Sequence, residues 1–106
     1  MSQQVTVVAR LVAKPGMESR AKEELLKMVE ETHKEPGCIN YDLHVSLDDP
    51  RVFLFHENWE TKAHLDKHFQ TPHFLHLGAV KPEIFEDADV KLYGVISGPK
   101  TAAVAK

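Results

Sequence analysis

Seven histidines stand among 106 residues, and four of them, His64, His68, His73 and His76, fall within thirteen positions. Imidazole titrates near neutral pH, so such a cluster suits proton transfer or metal ligation. Just upstream, Phe55, Glu57 and Trp59 alternate along one face of an extended run. A carboxylate between two aromatic rings must be paired or have its pKa raised. Glu57 therefore reads either as a base or as the partner that orients a histidine. Trp59 offers a flat wall for a ligand, or a core ring whose N–H finds an acceptor.

His68 is the strongest candidate base. It shares the inner face of a short helix with Leu65 and Phe69. The plainer reading is a buried histidine satisfied by a carbonyl or by Glu57. His73 follows Thr71-Pro72, at the first turn of a further helix. There the helix dipole favours the neutral ring, while a capping role remains open. Tyr41 is either a donor to a substrate oxygen or simply core.

Metal ligation is the other use of histidine pairs. His64 and His68 are four apart, and His73 and His76 three apart. Neither pair is accompanied by a cysteine or a His-Glu-x-x-His pattern, and His64 and His76 point toward solvent in this reading. No metal site is expected.

The elements that must position these groups are legible from periodicity. Residues 5–13 read as a strand, apolar on both faces, ended by Lys14-Pro15-Gly16. Residues 17–34 read as an amphipathic helix with Met17, Ala21, Leu25, Met28, Val29 and Thr32 in its stripe, ended by Glu35-Pro36-Gly37. Residues 39–46 and 52–59 read as two strands of a hairpin. In the first, Ile39, Tyr41, Leu43 and Val45 share the apolar face. Thr61 caps a helix to Gln70, and Pro72 opens another from about His73 to Val80. Residues 81–87 read as a loop or single turn and 89–97 as a last strand. The order strand, helix, strand, strand, helix, strand is a ferredoxin-like split βαβ sandwich of the α+β class, with both helices on one side of the sheet. The sheet's other face, apolar in its first strand, predicts a homodimer packed sheet to sheet. His44 and His56 lie on that face as possible cross-strand neighbours.

Composition sets the outer bounds. Hydrophobic residues make up 42% and charged residues 27%, the profile of one globular domain. That domain is expected over 1–98, followed by a flexible tail over 99–106. The net charge of −3 gives no electrostatic footing for nucleic acid. No apolar run spans a membrane and the start carries no signal-peptide pattern, so neither membrane association nor export is expected. The single cysteine, Cys38, fits a reducing, cytoplasmic setting.

The stretch ENWETKAHLDKHFQTPHF, from Glu57 to Phe74, joins the upstream Glu35-Pro36-Gly37-Cys38 and Tyr41. This set resembles the antibiotic biosynthesis monooxygenase family of dimeric α+β barrels, nearest to bacterial quinol monooxygenases. The likeness runs from Val5 to about Gly98. It implies a pocket between sheet and helices, an aromatic quinol or phenol substrate, dioxygen, and no metal or cofactor. It further implies catalytic roles for His68, His73 and Glu57, and substrate contacts from Trp59, Tyr41, Phe55 and Phe69. Members share a scaffold and differ in chemistry. Haem-degrading relatives carry a tryptophan and a ligating histidine where this chain has His68 and Gly78, which disfavours haem. An isomerase branch shares the Glu, His and Thr-Pro-His elements but has tyrosine at the Trp59 position. Some antibiotic-pathway members use an asparagine–tyrosine pair; here the nearby Asn58 falls on the face opposite Trp59. The alternatives are thus an isomerase with a polar pocket, or a non-catalytic binding dimer whose pocket is filled by Phe53, Phe55, Phe69 and Phe74.

Overall fold

Alternating apolar residues at period two and helical stripes at period 3.6 leave one way to bury both, which is to lay the helices on one face of a sheet. The computed structural model describes residues 4–97. It runs β1 (Val5–Ala13), α1 (Glu18–Thr32), β2 (Cys38–Val45), β3 (Val52–Trp59), α2 (Lys62–His68), α3 (Pro72–Ile84) and β4 (Phe85–Gly94). The sheet order is β2-β3-β1-β4, and every neighbouring pair is antiparallel. This is the ferredoxin-like α+β arrangement expected from the element order. The segment 99–106, expected as a flexible tail, lies outside the described residues.

On the helix side, Val7, Ala9 and Leu11 of β1 stand opposite Glu57, Phe55 and Phe53 of β3, and opposite Leu92, Val90 and Ala88 of β4. Ala21, Leu25 and Met28 of α1, Leu65 of α2 and Leu77 and Ile84 of α3 close over them. The opposite face is mixed. Val8, Val12, Val52 and Leu54 form its apolar centre. Beside them a polar row joins Thr6, Asn58 and Asn40 by side-chain hydrogen bonds. His44 and His56 are exposed on this face, but they pair with Leu54 and Asp42, so they are diagonal rather than direct neighbours.

Three expectations fail, each for a local reason. The loop or single turn expected at 81–87 is instead the last turn of α3 followed directly by β4. Helix α3 passes through Pro82 and ends at Ile84. The proline lies in the last turn, so it removes only one rung of the helix ladder. The Lys14 N–H then caps the Ile84 carbonyl at 2.9 Å. Buried Ile84 and Phe85 form the corner from which β4 starts, four residues before the expected Asp89. In β2 a register shift between Cys38 and Asn40 inserts one extra residue. That bulge turns Ile39 outward, 51% exposed, and brings Cys38 rather than Ile39 against the core. Finally, His64 does not point into solvent. Its ring packs against Gly37, whose φ is 83°, and a Cβ there would collide with that ring. Gly37 is therefore required twice, by its left-handed backbone and by the lack of space.

The turn from α2 to α3 sets up the site. The Thr61 hydroxyl accepts from the His64 N–H and the Thr71 hydroxyl accepts from the Phe74 N–H, so each opens its helix. The Thr71 hydroxyl also donates to the His68 carbonyl at 2.8 Å. The last residue of α2 and the second residue of α3 are thereby held close together.

Candidate active site

His68 ends α2 and is 1% exposed. Its ring is packed by Trp59 at 4.8 Å, Phe74 at 5.2 Å and Tyr41 at 5.5 Å between centroids. A polar ring in such a place needs a partner. The partner is Glu35, whose Oε2 lies 2.8 Å from His68 Nδ1. The same oxygen lies 2.6 Å from His73 Nε2. An ionised carboxylate only accepts, so each ring donates an N–H to Glu35. That fixes the proton of His68 on Nδ1 and leaves Nε2 as the free lone pair. Burial lowers the pKa of His68 below the usual histidine value, while Glu35 pulls the other way. The ring is neutral at pH 7 and oriented by a carboxylate, the arrangement of a general base with its orienting acid.

From the sequence alone, Glu35 reads only as part of a helix stop. It sits in the turn between α1 and β2, with its N–H on the Thr32 carbonyl. Its partners are 33 and 38 residues away, so no periodicity links them. The one available signal is the presence of Glu35-Pro36-Gly37 in the family-like motif.

His68 borders a cavity of about 140 Å³ between the sheet and the helices. Its walls are mostly apolar: Val7, Ala9 and Leu11 of β1, Phe55, Phe69, Phe74, Leu77, and Ala88 and Val90 of β4. The polar groups are few. Tyr41, Glu57 and His68 line it from the core side, and Lys81 and Asp89 come from exposed positions of α3 and β4. An apolar cavity of roughly 150 Å³ holds one benzene ring. The space is therefore sized for a single aromatic ring. The pocket filled by phenylalanines, which a non-catalytic dimer predicts, is not found. Nor is the wall polar, as the isomerase alternative would need.

The expected site residues separate into three groups. His68, Glu57, Tyr41, Phe55 and Phe69 border the cavity. Trp59 does not, against the expectation of a pocket wall. It is fully buried one layer behind, and its indole N–H donates to Glu57 Oε1 at 2.9 Å. His73 does not border the cavity either, and touches it only through Glu35 and His68. Its side chain is 19% exposed. The spaced pairs His64–His68 and His73–His76 do not converge. Instead His64 bonds Thr61 and His76 bonds Glu24.

Electrostatics sharpen these roles. Burial pushes Glu57 up to about 7 despite the Trp59 N–H that favours its anion, so this carboxyl exchanges a proton near neutrality. Burial and the Glu57 charge push the Tyr41 phenol far up, and Thr32 beside it only partly offsets this. Tyr41 is then a permanent hydrogen-bond donor. Cys38 is pushed up to about 11, chiefly by burial, which removes a thiolate nucleophile from consideration.

Comparison with known proteins fits this geometry. A family model described as "Antibiotic biosynthesis monooxygenase" matches residues 4–79. An uncharacterized protein of Synechocystis is 32% identical over 96 residues, covering 86% of this chain; the match spans 63% of that relative's length. A protein of Escherichia coli named "Probable quinol monooxygenase YgiN" is 33% identical over 93 residues, covering 77% of this chain and 89% of its own. The crystal structure of PA3566 from Pseudomonas aeruginosa superposes with a TM-score of 0.87 at 29% identity, covering 92% of this chain and 98% of the other. The ring-sized cavity, His68 on its wall held by Glu35 from behind, and the match over most of the chain converge: this chain belongs to the antibiotic biosynthesis monooxygenase family.

Proposed function

We propose that the chain is a monooxygenase that oxidises a one-ring quinol or phenol with dioxygen and without a cofactor. The observation that carries this reading is a neutral, carboxylate-oriented histidine on the wall of an apolar cavity sized for one ring. His68 Nε2 removes a hydroxyl proton from the quinol. The resulting phenolate gives one electron to dioxygen, forming a semiquinone and superoxide. These combine at a ring carbon, and loss of water leaves a hydroxyquinone. Quinol and dioxygen thus become hydroxyquinone and water, with no outside reductant. The apolar walls keep the phenolate poorly hydrated and therefore a stronger electron donor. Tyr41 and protonated Glu57 are donors for the oxygen that bears charge.

The test is oxygen uptake with a panel of hydroquinones, with products identified by mass. The expected result is uptake of one dioxygen per hydroxyquinone formed, at a rate above that of the His68→Ala protein. Equal rates for the two proteins across the panel would sink the reading.

We also propose that the working unit is a homodimer joined through the sheet face away from the helices. Its support is the half-buried Val8, Val52 and Leu54 on that face, which no helix among the described residues covers. Light scattering should give a mass of two 12.0 kDa chains. A monomer that persists at micromolar concentration would refute it.

A further inference from the structure

Among the described residues, one set of side chains brings three metal-ligating atoms together: Glu35, His68 and His73, with their ligand atoms all within 4.8 Å of one another. Two imidazoles and one carboxylate are the donor set of many zinc and non-haem iron sites. Three features favour a real site over a chance grouping of exposed acids. All three residues are at least partly buried, with His68 1%, Glu35 11% and His73 19% exposed. They come from three separate elements: the α1–β2 turn, the end of α2 and the start of α3. Both ring nitrogens also aim at the same carboxylate oxygen, at 2.8 and 2.6 Å.

We infer that Glu35, His68 and His73 form a site for one divalent transition-metal ion, which replaces the two protons now shared with Glu35. Ligands about 2.1 Å from a metal stand roughly 3–3.5 Å apart, so the two N···O distances of 2.8 and 2.6 Å must widen by several tenths of an ångström, while the two ring nitrogens already lie within 4.8 Å of each other. His68 is fixed by its aromatic neighbours, whereas Glu35 sits in a turn and can give. The exposed side of His73 is the way in, and water completes the coordination there. Binding has a consequence that rests on the function proposed above. A metal on Nδ1 moves the ring proton of His68 to Nε2, which withdraws the base from the cavity. The site is thus inhibitory, and the metal takes no part in the oxidation.

The chain supplies its own reporter. Trp59 is the only tryptophan in the sequence, and its ring centroid is 4.8 Å from that of His68. Copper(II) bound at the triad should quench its fluorescence by close contact. The experiment titrates copper(II) into the chelator-treated full chain and then adds zinc(II) as a non-quenching competitor. Expected is saturable quenching at one copper per chain, reversed by zinc(II). In Glu35→Gln and His73→Asn, each checked for native circular dichroism, binding should weaken by at least roughly 10- to 100-fold, the loss that follows when a metal site loses even an outer partner of a ligand. His76→Asn, at the exposed histidine outside the triad, should bind as the parent does. Failure to saturate, or equal quenching in the parent and both triad variants, would overturn the inference. This readout needs no substrate, so it stands or falls apart from the monooxygenase reading.

Discussion

Replacing His68 by glutamine should lower kcat for hydroquinone oxidation by roughly 10²- to 10⁴-fold, the usual contribution of a positioned base. Glutamine fills similar space and can still reach Glu35, so circular dichroism and the unfolding midpoint should stay near those of the parent. Glu35→Gln acts through His68. It removes the charge that orients the ring, and kcat should fall by roughly 10²- to 10⁴-fold with little change in KM. The pH profile separates a positioning role from a merely structural one. The proposed proton transfer requires neutral His68. Burial already holds its pKa below the ordinary value, and Glu35 is the group that raises it. The acid limb of kcat/KM should therefore lie below the ordinary histidine range in the parent, and move further to acid in Glu35→Gln. A limb that moves to higher pH, or does not move, would show that Glu35 does not set the protonation of this ring.

The second large effect is on stability. Glu57 has a pKa of about 7 in the folded chain, against an ordinary carboxyl value of 4.5. The folded state therefore holds a proton that the unfolded state releases. Stability is unaffected below the unfolded value, falls as pH rises from 4.5 to about 7, and stays reduced above that. A tenfold change in proton affinity is worth about 1.4 kcal/mol, so the ionised carboxylate costs about 3 kcal/mol at alkaline pH. Glu57→Gln removes the charge, and its amide oxygen still accepts the Trp59 N–H. Urea unfolding should show the variant more stable than the parent by about 2–3 kcal/mol near pH 8.5 and equal to it near pH 4. A difference that is the same at both pH values would contradict burial as the cause. The gain should come with a loss of turnover, since Glu57 borders the cavity and carries one of its few exchangeable protons.

The fold is legible in the sequence where periodicity and stop signals agree. β1 and β3 occupy the expected spans because alternation ends cleanly at Pro15 and at Glu60-Thr61. The errors come where one residue carries two meanings. Residues 81–87 read as a loop or single turn, yet the helix runs on through Pro82, which in a last turn costs a single hydrogen bond. Ile39 reads as an inward strand residue, but a bulge, which depends on the partner strand, turns it out. The site is partly legible for the same reason. His68 declares itself by helical spacing with Leu65. Glu35 does not, because its role exists only once the α1–β2 turn meets two other helices. Trp59 reads as a wall because large aromatics on an inner face do line pockets. The hydrogen bond to Glu57 that holds it one layer back is a property of packing.

The order of strands also bears on how the site comes into being. β1 lies between β3 and β4, so Val5 pairs with Gly94, nearly the whole described length away. Ala88 and Val90 of β4 supply one wall of the cavity. During synthesis the chain can assemble His68, Glu35 and Tyr41 before β4 emerges, but the cavity beside them would still gape on that side. An enclosed cavity therefore appears only when the late strand docks beside the earliest one. A half-made chain holds the base without the chamber.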